Sequence, residues 1–310
     1  MIKKAGTIAT LGLVLIFASI FGSWYSQGHQ EVKEKEIGDI SELNDSTRFD
    51  NARSVSMPDK LDFAGEKVPL DNMDVHERMD RELLINTYWH TNTILMIKRA
   101  HRWLPIIAQE LEKANIPDDF KYIVAIETNF INDTSPRGAV GFWQFLKGAG
   151  LENGLEITEE IDERYDPVKA SRAAAKYLNN AYKRFGSWTM AAASYNRGVT
   201  GMLNAIEHQK ESNYYNLLLN EETARYIFRI LAAKLILESP EKYGFAIDTI
   251  DLYQPYKTDT VEVSHSIPSL VDWAQEHSIT YRQLKKYNPW LRKDRLTVRS
   301  GKTYLINLPK

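Results

Sequence analysis

The chain has 310 residues, enough for one sizeable hydrophobic core and a small accessory module. Its formal net charge is only -2, so the overall charge gives no reason to expect nucleic acid as a partner. It contains no cysteine, which excludes disulfides, thiolate catalysis and a lipid-bearing N-terminal cysteine on the mature protein.

The first segment has the pattern of an export signal. Lys3 and Lys4 precede a mostly apolar run over residues 5–24, and a basic start followed by an apolar run directs export. The run is long enough to span a bilayer, and Phe21-Gly22-Ser23 is a poor match to a cleavage site. We predict that residues 1–25 are a signal peptide or, by slight preference, an anchor in the inner or outer membrane. The rest of the chain is then expected in the cell envelope, on the periplasmic side.

The residues that follow the apolar run are predicted to form a polar linker and then a helical domain. Residues 26–75 are rich in charged side chains and have weak periodicity, which is typical of a linker. From residue 76 to about residue 250 the apolar residues recur at helical spacing. Predicted helices lie within residues 81–113, after Pro117, and over residues 172–185, 188–195 and 221–237.

The last part of the chain has a different pattern. Residues 260–263 read as a strand, and two short helices follow, the second capped by Thr280. A turn at Gly301 and a final strand complete a β-α-α-β unit. We predict a small module over residues 258–310.

One helix face in the predicted domain carries a carboxylic acid among apolar residues. The face contains Phe120, Ile123, Val124, Glu127 and Ile131, which follow helical spacing. Partial burial would disfavour the carboxylate and raise its pKa, which a general acid near neutral pH requires. The structural alternative is a glutamate at a helix end whose head group reaches solvent or caps a neighbouring segment.

A glycine-containing loop follows this helix at residues 135–145. Gly138 and Gly141 allow the backbone to approach another segment closely. Trp143 offers an aromatic face and Gln144 an amide, and together they could hold a sugar ring and its N-acetyl group. This loop favours the catalytic interpretation of Glu127 over the structural one.

A set of sequence motifs resembles a known enzyme family. They are Glu127 with an aromatic residue three positions later, the loop over residues 135–144, the sequence Ala-Ser-Tyr-Asn-Arg-Gly at 193–198, and the segments 162–167 and 222–227. Together they resemble the soluble-type lytic transglycosylases, which share the lysozyme-like fold of the goose type. The resemblance is to the membrane-bound murein transglycosylases that carry LysM modules. It therefore implies a mainly α catalytic domain over residues 76–250.

The resemblance implies a function in cell-wall remodelling. The family cleaves peptidoglycan between N-acetylmuramic acid and N-acetylglucosamine with one glutamate acting as acid and then as base, and it uses no metal or other cofactor. The resemblance implies that Glu127 has that role in this chain. Thr128 stands where serine is usual in the family and Phe142 where leucine is common, and neither change removes a group that the chemistry needs.

Eight further residues are expected to contact the glycan. They are Ser135, Gly138, Ala139, Trp143, Gln144, Tyr195, Asn196 and Tyr226. Tyr195 is the best candidate to orient Glu127, although Tyr195 and Asn196 could also mark only the end of a helix. For Tyr226, a side chain that faces the core is an equally good interpretation.

The segment from Asp162 to Pro167 is expected to shape the cleft rather than to catalyse. Asp162 and Arg164 are predicted to form part of a salt-bridged loop. Asp166 should cap a helix whose first residue is Pro167.

The C-terminal module resembles a LysM domain, a small glycan-binding unit. The Gly-Asp-Thr loop that usually follows its first strand is absent, and residues 265–269 stand there instead. A degenerate module that only packs against the enzyme is therefore as good an interpretation as a working binder.

Two other functions remain open from the sequence. A hydrolytic muramidase on the same fold would be favoured by a second acid, and Asp133 is the nearest carboxylate after Glu127. A non-catalytic peptidoglycan-binding scaffold would use the fold and the LysM-like unit without chemistry.

Overall fold

The computed structural model describes residues 53–310, which are mainly helical with short strands near both ends. The predicted export signal or anchor, residues 1–25, lies outside this range. Within residues 53–310, no helix combines the length and the apolar character that crossing a bilayer requires.

The larger helical part contains eight α-helices within the described residues. They are α1 (Met73–Tyr88), α2 (His90–Glu112), α3 (Ile123–Thr128), α4 (Lys147–Glu152), α5 (Pro167–Phe185), α6 (Trp188–Arg197), α7 (Val199–Gln209) and α8 (Glu221–Glu238). Helix α1 packs against α8, α2 against α5, and α6 against α5, α7 and α8. The prediction of a mainly α domain is confirmed.

Several helix ends follow the local chemistry of the sequence. The Asp166 carboxylate accepts hydrogen bonds from the backbone N–H groups of Val168 and Lys169, and Pro167 opens α5 as predicted. Gly198 ends α6 with a φ of 81°, a conformation that glycine adopts without steric cost.

Small side chains let the central helices approach one another closely. The buried alanines are Ala170, Ala173, Ala174, Ala175 and Ala181 on α5 and Ala191, Ala192 and Ala193 on α6. This close packing places the end of α6 beside the loop that follows α3, which brings two of the sequence motifs together.

The boundary predicted between linker and domain is wrong. The polar linker was expected to extend over residues 26–75, yet Leu61, Phe63, Val68 and Val75 are buried in the main hydrophobic core. Two short antiparallel strands, β1 (Asp62–Phe63) and β2 (Glu66–Lys67), form a hairpin there. A few isolated apolar residues without periodicity anchor this segment, so a pattern search does not detect it.

The C-terminal module has a core of its own. Strands β3 (Thr258–Val263) and β4 (Tyr304–Pro309) pair antiparallel. Helices α9 (Leu270–Glu276) and α10 (Tyr281–Tyr287) lie between them in the sequence, and Thr280 caps α10 with a capping box. The predicted β-α-α-β order is therefore present.

One segment of the helical domain contributes to the core of the C-terminal module. Ile161 is 3% exposed and is buried in the hydrophobic cluster of the C-terminal module. The backbone N–H of Asp162 donates to the Trp290 carbonyl at 2.9 Å, and the N–H of Arg292 donates to the Glu160 carbonyl at 2.7 Å. The module is therefore packed directly against the helical domain.

Candidate active site

The helix that carries Glu127 is short and ends immediately after it. A 3₁₀ turn over Asp118–Tyr122 leads into α3, and Asn129 stops the helix in the left-handed region with a φ of 52°. Asparagine tolerates that conformation better than most residues. Ile131 was expected on the same helix face, but it lies beyond this stop and is 43% exposed.

Glu127 lies in an environment that favours its protonated form. Burial raises the pKa of Glu127 above its ordinary value, and the nearby Glu222 carboxylate acts in the same direction. The Tyr226 hydroxyl and the Arg229 guanidinium act in the opposite direction. The result is a raised pKa, which suits a general acid.

Tyr226, on α8, is the residue that holds Glu127. Its hydroxyl donates to Oε1 of Glu127 at 2.6 Å. The expectation that Tyr195 would orient the carboxyl group is wrong, because the Tyr195 hydroxyl donates to the Trp143 carbonyl at 2.7 Å. Tyr195 thus fixes the loop after α3 instead.

Glu127 lies where two cavities meet. One cavity, of about 990 Å³, extends between α1, α2 and the start of α8. The other, of about 600 Å³, lies between the 135–146 loop and the end of α6. Glu127 and Glu222 line both cavities. A long ligand that occupied both would pass directly over the carboxyl group.

The predicted contact residues divide into two groups. Those that line the second cavity are Ser135, Ala139, Gln144, Tyr195 and Asn196. Gly138, Trp143 and Tyr226 line neither cavity beside Glu127.

Trp143 is not a platform for a sugar ring. Its side chain is fully buried, and its indole N–H donates to the Ser171 hydroxyl at 2.9 Å. The aromatic face is therefore part of the core, which the local sequence did not indicate. Gln144 does lie in the cavity wall, with its amide nitrogen donating to the Gly141 carbonyl at 2.8 Å.

Ser135 and Gly138 form the turn of the loop. The Ser135 hydroxyl accepts a hydrogen bond from the Ala139 N–H at 3.0 Å, and the Gly138 N–H donates to the Ser135 carbonyl at 2.9 Å. Gly138 has a φ of 78°. These contacts fix the backbone of the second cavity's wall.

The loop is braced from behind by Arg164. Its guanidinium donates to the carbonyls of Gly138 and Phe145 and forms a buried 2.7 Å salt bridge with Asp162. Gly141 lies against the same segment so closely that a Cβ atom there would come within 1.9 Å of the Arg164 carbonyl oxygen. The predicted salt-bridged loop is present, and its role is to hold the cavity wall in place.

Asn196 and Glu222 form a pair that the sequence reading missed. The Asn196 amide donates to Oε1 of Glu222 at 2.9 Å and accepts from the Thr223 hydroxyl at 2.7 Å. Glu222 was noted only as part of a motif and not as a site residue. Its position at the first turn of α8, four residues before Tyr226, was the available signal, since that spacing shares a helix face.

Comparisons with known proteins agree with the two-part organisation. Residues 105–218 match the transglycosylase SLT domain, and residues 259–310 match the soluble lytic transglycosylase C-terminal LysM-like domain. The chain is 26% identical to the membrane-bound lytic murein transglycosylase D of Escherichia coli strain K12, over 99% of this chain and 68% of that protein. The protein of the same name from Escherichia coli O6:H1 matches with the same identity and coverage.

Proposed function

We propose that this chain, which carries a transglycosylase SLT domain followed by a LysM-like domain, is a peptidoglycan lytic transglycosylase. It cleaves the bond between N-acetylmuramic acid and N-acetylglucosamine and leaves a 1,6-anhydro end on the muramoyl sugar. The observation that carries the proposal is the Glu127 carboxyl group, which lies at the junction of two cavities with a raised pKa.

In the first step Glu127 acts as the general acid. Its carboxyl proton passes to the glycosidic oxygen as the bond from that oxygen to C1 of the muramoyl sugar breaks. The substrate's own acetamido oxygen shares the positive charge that develops at C1. Burial favours the protonated carboxyl group before this step, and the Tyr226 hydroxyl stabilises the carboxylate that forms.

In the second step the Glu127 carboxylate acts as the base. It takes the proton from the C6 hydroxyl of the same sugar, and the C6 oxygen attacks C1 to close the anhydro ring. The glutamate regains its proton, so no water is consumed. The two cavities on either side of Glu127 give room for the glycan on both sides of the cleaved bond.

Hydrolysis on the same fold is the competing reaction. It needs a base for water, and four other carboxylates line the first cavity with Glu127, those of Glu82, Asp133, Glu221 and Glu222. Of these, Glu222 alone also lines the second cavity, and Glu82 and Glu221 both pair with Arg225. Glu222 is thus the strongest candidate for a second acid.

Product analysis tests the proposal. Purified sacculi are incubated with the protein, and the released muropeptides are identified by mass spectrometry. We expect anhydro-muramoyl ends, whereas reducing muramic ends alone would establish hydrolysis. Glu127→Gln keeps the shape and removes the proton, and it should lower the rate by a factor on the order of 10² to 10⁴. Unchanged lysis by this variant would support a non-catalytic scaffold.

The cell envelope is the place where this activity has its substrate. Within it, we propose a periplasmic location with residues 5–24 as the membrane segment, because two lysines precede that apolar run. Separating membranes from the soluble periplasmic fraction tests this. The full chain should be recovered with the membranes, and a chain in which a cleavable export signal replaces residues 1–25 should be recovered in the soluble fraction.

A further inference from the structure

A third cavity, of about 540 Å³, lies where the helical domain meets the LysM-like module. Helix α2 and the segment around Tyr253 and Tyr256 form one side, and helix α10 of the module forms the other. Arg99 and Ile131 line both this cavity and the first cavity of the catalytic cleft. The two are therefore neighbours that share part of one wall.

The junction cavity is strongly basic. Arg99, Arg102 and Lys286 line it, and none of the three forms a salt bridge with a carboxylate of residues 53–310. Lys285 lines it too, but its ammonium already donates to two backbone carbonyls of its own module. One carboxylate is present, that of Asp166, and its Oδ1 already accepts two backbone hydrogen bonds at the start of α5. Cations that lack an acidic partner in the protein favour an anionic ligand.

Two of these cations, those of Arg102 and Lys286, pack against an aromatic ring. The Arg102 guanidinium lies 4.3 Å from the centroid of the Tyr256 ring, and the Lys286 ammonium lies 5.2 Å from it. Tyr287 packs on Tyr256 with ring centroids 4.8 Å apart. Groups from the helical domain and from the module thus meet around one ring, so the cavity exists only because the module is docked.

The chemistry of peptidoglycan identifies the ligand. The carboxyl group of each muramoyl sugar is joined to a stem peptide by an amide bond, so the glycan strand itself is neutral there. The stem peptides carry free carboxylates. We propose that the junction cavity binds the acidic stem peptide of a strand whose glycan lies in the catalytic cleft. This proposal rests on the proposed function. Arg99 can form bidentate contacts with a carboxylate, and Lys286 adds a single positive charge at the rim.

The test uses the full chain with Glu127→Gln, so that binding is measured without cleavage. Its co-sedimentation with intact sacculi is compared with that on sacculi whose stem carboxylates a carbodiimide and ammonia have converted to neutral amides, which keeps the stems and their cross-links. We expect tighter binding to the intact material. Adding Lys286→Glu should weaken binding to intact sacculi about fivefold and remove the difference between the two substrates.

Lys293→Glu is the matched control, because Lys293 is an exposed lysine of the same module that does not line the cavity. It changes the net charge equally and should keep the preference for intact sacculi. Arg99→Gln should reduce that preference from the other wall, and Arg99→Lys should retain most of it. Equal binding to both substrates, or a preference that survives Lys286→Glu, overturns the proposal.

The proposed function is tested separately by the products of the wild-type chain. If it releases no anhydro-muramoyl products but still binds stems through Lys286, the catalytic proposal fails and the acidic-peptide site stands. If those products form and Lys286→Glu behaves like Lys293→Glu, the junction site fails and the catalytic proposal stands.

Discussion

The Tyr226 hydroxyl donates a 2.6 Å hydrogen bond to Oε1 of Glu127, across 99 positions of sequence. Tyr226 is itself buried, and burial raises its own pKa well above the ordinary value, so it stays protonated and able to donate. The bond fixes one carboxyl oxygen of Glu127, and with it the orientation of the carboxyl group at the end of the short helix α3. Tyr226 is thus a positioning residue for the proposed acid.

Tyr226→Phe should move the pH dependence of cleavage. The lost hydrogen bond is one that lowers the pKa of Glu127, so the pKa should rise further and the alkaline limb of the rate profile should move to higher pH. The maximal rate should fall about tenfold, because the carboxyl group loses its fixed orientation. The measurement is kcat on sacculi as a function of pH.

Tyr195→Phe is the control for this change. Its hydroxyl bonds to a backbone carbonyl rather than to Glu127, so the alkaline limb should stay where it is even if the loop loosens and KM rises. An alkaline limb that is unmoved in Tyr226→Phe would contradict the role assigned to the Tyr226 hydroxyl.

Glu222→Gln should move the same limb in the opposite direction. Its carboxylate raises the pKa of Glu127, so a neutral amide should lower that pKa and bring the alkaline limb to lower pH. The amide oxygen can still accept the hydrogen bond from Asn196. Under the transglycosylase mechanism the maximal rate should fall less than about tenfold. A loss as large as that of Glu127→Gln would instead make Glu222 a second catalytic acid and favour hydrolysis.

The parts of the molecule that follow local rules could be predicted from the sequence. Asp166 and Pro167 begin a helix, Gly198 ends one, and Thr280 caps another, because each depends on residues within one turn. The mainly α fold and the small module follow from periodicity in the same way. The identity of Glu127 as the candidate acid depended on motifs that recur together in a family.

The contacts that depend on distant packing could not be predicted. A tryptophan at position 143 could face a sugar or the core, and its local sequence is the same in both cases. It is buried because α5 packs beside it and Ser171 of that helix accepts its indole N–H. Phe63 and Val68 lie in a polar stretch, and their burial follows from the surface they meet. The choice of Tyr226 over Tyr195 depends on where α8 crosses α3.

Glu127→Gln should make the folded protein more stable at neutral pH. Burial raises the pKa of Glu127 in the folded state above its unfolded value, so its contribution to stability is fully present below the unfolded pKa. That contribution is lost as the pH rises through the folded pKa. The variant should therefore gain about 1 kcal/mol at pH 7, with a Tm about 2–4 °C higher. Thermal unfolding at several pH values measures it, and the difference should shrink towards pH 4.

Gly141→Ala should destabilise the loop that lines the second cavity. A Cβ atom there would lie 1.9 Å from the Arg164 carbonyl oxygen, and the φ of 76° is unfavourable for alanine. We expect a loss of more than about 2 kcal/mol and a raised KM, because the wall that contains Gln144 must shift. Gly148→Ala is the control, since a Cβ atom at Gly148 meets nothing within 4 Å. Equal stability of the two variants would contradict the bracing of this loop.

Ile161→Ala should loosen the contact between the LysM-like module and the helical domain. The side chain belongs to the module's core although it comes from the segment that carries Asp162 and Arg164. Its truncation should cost about 2–4 kcal/mol locally. Hydrogen exchange should then accelerate at the N–H groups of Asp162 and Arg292, which bond across the contact.

Ile161→Ala should also affect the catalytic cleft. Arg164 lies in the same segment, and its guanidinium donates to the carbonyls of Gly138 and Phe145 in the cavity wall. We expect a higher KM for sacculi and little change in the pH profile, since nothing around Glu127 is altered. Ile250→Ala is the matched control, because Ile250 is 89% exposed. If exchange accelerates only within the module and KM stays constant, the module does not support the cleft wall and its docking serves another purpose.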